Sequence, residues 1–233
     1  GWVVAGVAYG NFGRRDRIEV YRVGRDGADA ALVDSVLAMA RYGILTGPSP
    51  FGGVHPLSPT SHLAVRDGRI YLAESLTPRI RVFDAGSGEH LRDIEWEVTP
   101  AGEPEEVFRA VVGETLARAA PERQATLRRQ LEVAEVPDSI PLFWKLRVDS
   151  EGFIWIRPYE PMTHAFGLGS GVTGGTAAPG GTWLVLTPDG SEVARVEVPP
   201  DLEIEQITRD AVVGIARDEF DVETVRVHPL RRR

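Results

Sequence analysis

Five histidines among 34 Asp and Glu residues raise metal chemistry first, since imidazole and carboxylate are ordinary ligands of zinc and related cations. Their spacing argues otherwise. His55 and His62 stand either side of Pro56 and Pro59, His90 and His228 fall near strand ends, and no close pair has ligand spacing. The acids Asp218, Glu219 and Asp221 are close enough to hold a cation or to share acid/base work, but adjacent acids in a strand connection are ordinary surface features. Gly167, Gly169, Gly171, Gly174, Gly175, Gly180 and Gly181 have the composition of a phosphate-cradling loop. Such a loop runs from a strand directly into a helix N-terminus, and no helical pattern follows here, so 162–181 reads as a flexible loop. Gly169-Ser170-Gly171 is not a nucleophile elbow, because the Gly-x-Ser-x-Gly pattern and its strand-to-helix setting are both missing. With no cysteine, thiolate metal sites, thiol nucleophiles and disulfides are excluded. The reading assigns no catalytic residue, no metal ligand and no cofactor.

The elements that would position any such residue are strands. Short β-branched and aromatic runs recur between Asp-Gly and Ser-Gly turns. The clearest unit, 61–98, reads as four strands in a meander: Leu63-Ala64-Val65, a turn at Asp67-Gly68, Arg69 to Ala73, Arg79 to Phe83, a turn at Ser87-Gly88, and His90 to Val98. The order returns at 142–198 with Leu146-Arg147-Val148, Asp149-Ser150-Glu151-Gly152, Phe153 to Ile156, Trp183 to Leu186, Pro188-Asp189-Gly190 and Val193 to Val198. Tyr71 and Trp155 take the same place in the second strand. Incomplete copies occupy 1–39 and 202–229. Repeated four-stranded units are the grammar of a β-propeller, since one twisted sheet cannot bury both faces until neighbours stack on it. The chain therefore reads as all-β, an open arc of about four antiparallel blades, the first lacking its inner strand and the last its outer strand. Trp144, Trp155 and Trp183 are expected in the packing between blades. One segment, 103–133, departs from the pattern. Val107, Val111 and Leu116 at helical spacing, Pro121, then Leu127 and Leu131 predict an inserted helical hairpin.

The motifs Arg69-Ile70-Tyr71-Leu72 with Ile80-Arg81-Val82-Phe83-Asp84, the helical insert, Leu146 to Ile156, and Val213-Gly214-Ile215-Ala216-Arg217-Asp218-Glu219 with Val225 resemble the six-bladed propellers of the NHL and TolB-like kind, and most nearly a sparsely characterised group of secreted bacterial six-bladed propellers. The resemblance implies about two further blades before this stretch, which would make it a C-terminal fragment, and an N-terminal export or lipoprotein signal, hence a periplasmic or secreted location. It departs from the family pattern in the Gly-rich stretch after Pro158.

In a meander, alternate connections emerge on the same edge. The connections 40–58, 99–141 and 157–182 all fall on one edge and the short turns on the other, so a site is expected on the elaborated face, near the channel mouth. Its polar candidates are Arg41, Tyr42, His55, Glu74, Arg157, Tyr159, His164, Asp218 and Glu219. With 26 basic against 34 acidic residues, a net charge of −8 and a pI near 5.2, the charge balance argues against nucleic acid as a partner. No apolar run approaches the roughly 20 residues of a transmembrane helix. Two functions follow: a non-catalytic module binding a small molecule, glycan or protein on the long-loop face, and, competing with it, a propeller hydrolase or lactonase with a metal in the channel. Metal-dependent lactonase propellers use carboxylate and asparagine oxygens, and with Asn11 the only asparagine that set cannot be built here.

Overall fold

The computed structural model describes residues 2–5, 17–24, 27, 29–44, 51–166, 180–218, 220 and 222–232. Glu219, Asp221, Asn11 and the glycines between 167 and 175 lie outside the described residues.

The second repeat shows why these residues form a blade. β6 (Ser61–Arg66), β7 (Arg69–Glu74), β8 (Arg79–Asp84) and β9 (His90–Glu95) pair in that order, all antiparallel. Asp67 and Gly68, with φ of 48° and 72°, make the two-residue hairpin between β6 and β7, a turn whose twist matches that of the strands. Burial grades across the sheet. Ile70, Tyr71, Leu72 and Ala73 of β7 are buried on both faces, whereas β9 buries only Ile94 and exposes His90, Arg92 and Asp93. A charged outer strand of that kind discourages edge-to-edge pairing.

Three more sheets repeat the plan. The first pairs β1 (Trp2–Ala5), β2 (Arg17–Val23) and β3 (Ala30–Leu37). The third pairs β10 (Phe143–Val148), β11 (Ile154–Pro158), β12 (Gly181–Leu186) and β13 (Glu192–Val198). The last pairs β14 (Leu202–Ile207), β15 (Ala211–Arg217) and β16 (Glu223–Pro229). Buried clusters lie between successive sheets. Val20 and Val36 meet Ile70, Leu72 and Phe83. Tyr71, Ile80, Val82 and Ile94 meet Phe143, Leu146, Ile156 and Leu186. Trp155, Trp183 and Val185 meet Leu202, Ile204 and Val212. Tyr71 and Trp155 thus do the same work, each packing its sheet onto the next. Inner strands neighbour one another, β6 beside β10 and β10 beside β14. Among the described residues no buried cluster joins the last sheet to the first. The architecture is an open β-propeller arc with an inserted helical hairpin.

A second contact repeats. The turn between the third and fourth strands leans on the outer strands of the preceding sheet: Gly88 lies beside Val33 and Arg22, and Gly190 approaches the Glu95 carbonyl so closely that a Cβ there would stand 2.2 Å from the oxygen.

The long connections carry their own structure. Within 40–58, expected as loop, β4 (Arg41–Ile44) and β5 (Phe51–Val54) pair as antiparallel strands. The insert is α1 (Pro104–Arg118) followed by α2 (Pro121–Leu131). Pro104 and Pro121 stand in the first turns of these helices, where a missing N–H costs nothing. The 162–181 segment opens with a short helix, α3 (Pro161–His164), in place of the loop expected there. No helix among the described residues is long and apolar enough to cross a membrane.

Candidate functional site

All three long connections meet on one edge of the arc. Val107, Phe108 and Val111 of α1 pack with Leu57, Ala134, Ile140, Tyr159 and Ala165, and Tyr42, Val112 and Trp144 border the cluster. Backbone bonds tie the pieces: Phe166 N–H to the Pro56 carbonyl at 2.9 Å, Leu142 N–H to Ser75 at 2.7 Å and Tyr159 N–H to Leu142 at 3.1 Å. The helical hairpin therefore sits on the same face as 40–58, as the strand count requires.

His55 is the pin of this platform. It is buried, and its ring stacks on Phe108 with centroids 5.4 Å apart and meets Tyr42 edge-on at 6.4 Å. Its Nδ1 accepts the Leu57 N–H at 3.1 Å, so the proton resides on Nε2, which donates to the Glu135 carbonyl at 2.9 Å. Beside it lies a cleft of about 390 Å³ between the β4–β5 pair and the irregular return after α2, lined by Arg41, Tyr42, His55, Leu57, Glu135, Val136 and Asp138 among others. That volume lies in the range of small-molecule sites. Burial raises the Tyr42 pKa, so its hydroxyl remains a neutral donor and acceptor. Arg41, Glu135 and Asp138 are exposed and add charged donors and acceptors at the rim.

A second group forms where β11 leaves its sheet. Arg157 and His164 are each 2% exposed and Tyr159 5%. Arg157 and Tyr159 alternate onto one side of the extended chain. Glu160 then precedes the single turn of α3, which brings His164 back to within 5.7 Å of the Tyr159 ring, centroid to centroid. Trp144 stacks flat on His164 at 5.1 Å. The Glu160 N–H donates to His164 Nδ1 at 2.8 Å. Burial, then the charges of Arg157 and Lys145, hold the His164 pKa down to about 3. Burial likewise raises the Tyr159 pKa and lowers that of Arg157, an effect opposed by Glu160 and Glu203. Gly181, at φ 115°, lets the chain pass over the guanidinium: a Cβ there would stand 3.3 Å from Arg157 Nη2. Lys145 of β10 pairs with Glu203 of β14 across the two sheets.

The candidates therefore divide. Arg41, Tyr42 and His55 come together at the cleft, and Arg157, Tyr159 and His164 in the buried group. Glu74 stands apart between the first two sheets, where Oε1 accepts from Arg17 at 3.0 Å, from the Leu37 N–H at 3.1 Å and from Arg81 at 3.4 Å. Asp218 closes the β15–β16 turn by accepting the N–H groups of Phe220 and Val222 at 2.9 and 3.0 Å. Trp144 corrects an expectation. A bulge between Phe143 and Lys145 turns it out of the inter-sheet core and onto His164. Sequence reasoning missed Glu135 and Asp138, which no motif marks. Among the described residues no group of three or more His, Asp or Glu is placed to hold a metal ion.

No family model and no curated protein matches the chain. Among solved structures it is similar to the crystal structure of a candidate 6-phosphogluconolactonase from Bacteroides fragilis NCTC 9343, at 13% identity and a TM-score of 0.30 over 91% of this chain and 51% of that one. The chain thus spans about half the length of that protein, and a superposition so loose bears on neither fold nor activity.

Proposed function

We propose that this chain is a binding module whose ligand is a small hydroxyl-rich molecule, such as a glycan unit, held in the cleft beside His55. The observation that carries the reading is that cleft of about 390 Å³, lined by Arg41 as donor, Glu135 and Asp138 as acceptors, and the Tyr42 ring. Sugars are recognised by that combination, because each hydroxyl both donates and accepts and each ring has an apolar face for an aromatic. Cleft and platform are preformed: His55 joins the loop wall to the base of the opposite wall through Glu135. A binder placed on the long connections of a rigid scaffold needs no catalytic group.

The blade grammar supports a wider context for the same reading: a C-terminal part of a six-bladed NHL or TolB-like propeller that acts outside the bacterial cytoplasm. The hydrolase or lactonase alternative has no residue set of its own on the described face.

The test is titration of the isotope-labelled chain with neutral mono- and disaccharides, followed by amide chemical shifts. Shifts are expected to gather at Arg41, Tyr42, Glu135 and Asp138 with dissociation constants on the order of 1 mM or tighter, and to vanish in Arg41→Ala and Asp138→Ala. Saccharides that leave these amides unmoved, with the fold intact, would refute the reading.

A further inference from the structure

The helical hairpin carries a groove of its own. Phe108, Val112 and Leu116 stand four residues apart on α1 and make one row along the helix. α2 covers that row only in part, because Leu127 and Leu131 are its only large apolar residues and Leu131 alone of the two borders the space between the helices. What remains is a cavity of about 390 Å³, walled by Phe108, Val112, Leu116, Leu131, Ala134 and Val136. Its rim carries two acids, Glu105 and Glu132, and two bases, Arg109 and Arg128, all of them exposed. Glu105 and Arg109 pair with each other at 2.7 Å. The rim charges balance, so the groove favours an uncharged apolar group, whose removal from water is favourable in proportion to the area covered. From Phe108 to Leu116 the row runs about 12 Å along the helix, a shape that fits an extended chain.

The groove adjoins the cleft at Arg41. The return after α2 is the wall between them, and its residues alternate: Glu132 and Ala134 border the groove, Val133 and Glu135 the cleft, and Val136 both. Val136 is half exposed where the two spaces meet. His55 of the cleft stacks on Phe108 of the groove at 5.4 Å, which makes Phe108 the end of the row nearest the cleft. A molecule seated among Arg41, Tyr42 and Asp138 therefore has a second cavity of equal volume beside it, one lined by apolar side chains where the first is lined by charged ones.

We propose that the groove takes the tail of the ligand whose head lies in the cleft, so that the chain binds an amphiphile, an uncharged alkyl or acyl chain carried on a hydroxylated head; this rests on the reading of the cleft as a site for a hydroxyl-rich molecule.

The test compares methyl and hexyl β-glucoside on the isotope-labelled whole chain, below the concentration at which micelles form. The heads are identical and the tails differ by five methylenes. A fully buried CH2 changes affinity about fourfold and a half-covered one about twofold, so hexyl glucoside is expected to bind about thirtyfold tighter. Amide shifts should extend from Arg41, Tyr42 and Asp138 to Val112, Leu116 and Leu131, which methyl glucoside leaves unmoved. Val112→Thr, midway along the row and the same in shape, sets a hydroxyl against the tail and should reduce the gain from methyl to hexyl by about threefold or more. That ratio is taken within one variant, so a general loss of stability does not imitate it. Equal affinities for the two glucosides, with the cleft amides moving in both, would overturn the amphiphile and leave the cleft reading standing, as would a gain that Val112→Thr does not diminish. Hexyl glucoside moving the groove amides while Arg41, Tyr42 and Asp138 stay still, or neither glucoside binding, would overturn both.

Discussion

Asp149 is the residue whose loss this fold should feel most. It is fully buried at the turn between β10 and β11, and every lone pair is used. Oδ1 accepts the N–H groups of Glu151 and Phe153 at 2.9 and 3.0 Å, which shapes the turn around Gly152. Oδ2 accepts the Trp155 indole N–H at 2.9 Å and Arg232 at 2.6 Å. One carboxylate therefore fixes a turn, orients the tryptophan that packs the third sheet on the fourth, and fastens the C-terminal segment, whose Arg232 also lies over the Phe153 ring at 5.0 Å. In Asp149→Ala the indole N–H and the two turn N–H groups are left without an acceptor, and Arg232 loses its carboxylate while keeping the Arg209 and Thr208 carbonyls. An unmet buried donor costs about 1–3 kcal/mol, and breaking a buried charge pair from one side about 3–5 kcal/mol. These overlap, so the expected loss is about 4 kcal/mol. Asp149→Asn should be nearly as severe, because whichever way the amide turns, its NH2 faces donors. Arg232→Ala should cost about 3 kcal/mol, because it strips the fully buried Asp149 carboxylate of its counter-charge while the three N–H donors remain. Urea unfolding of the three variants gives these differences directly, with the slope reporting whether the unfolded state has changed. A loss below about 1 kcal/mol for Asp149→Ala would mean that the turn and the indole find other partners, and the reasoning would fail.

Acid should destabilise the chain through two histidines. His164 is held to about 3, and His62 to about 4 by burial and by Arg147 and Lys145. Both titrate near 6.5 when unfolded, so as pH falls below about 6.5 the unfolded chain takes up protons that the folded chain refuses. Stability is complete above that pH and declines toward pH 4, by about 1.4 kcal/mol per unit for each histidine. His62→Gln and His164→Gln should each flatten the decline, and equal slopes in variant and parent would contradict the assignment. The outer face of the last sheet should drive self-association: Val213 and Val227 pair across β15 and β16, as do Ile215 and Val225, and Val225 and Val227 are 74% and 64% exposed. Sedimentation should show concentration-dependent assembly that V225K/V227K abolishes. A parent chain that stays monomeric would refute this.

How much of this was legible in the sequence depended on the range of the physics. Asp67-Gly68, the alternation of β6 to β9 and the Val107, Val111 spacing are local signals with one meaning each, and they placed blades and helices. The edge on which long connections gather followed from strand parity alone. Trp144 was misread because a one-residue bulge reverses the face of every position within it, and nothing in Phe143-Trp144-Lys145 announces the bulge. The β4–β5 pair was invisible because its pairing relies on glycines: a Cβ at Gly43 would stand 2.3 Å from the Phe51 carbonyl, and Gly52 and Gly53 break any apolar alternation. Asp149 was read only as part of a turn, although Asp followed by Gly three residues later is the pattern of a side chain that caps its own turn. Its bond to Trp155 depends on a rotamer, which no spacing gives. The meeting of Tyr159 and His164 had one sequence clue, Pro161 opening a turn of helix between them.

The way the platform is built bears on what it can bind. Three excursions of the chain, 38–60, 96–142 and 159–166, leave different sheets and would be separate mobile loops if each packed only on its own blade. Instead α1 contributes an apolar stripe, Val107, Phe108 and Val111, that all three share. His55 and the Phe166 to Pro56 bond then cross-link the excursions through their backbones. The ordering entropy of these loops is thus spent in folding, through burial of a common core, and not at the moment of binding. That arrangement lets a cleft with only a few charged rim groups hold a weakly interacting, well-hydrated ligand, because the walls are already at their bound spacing.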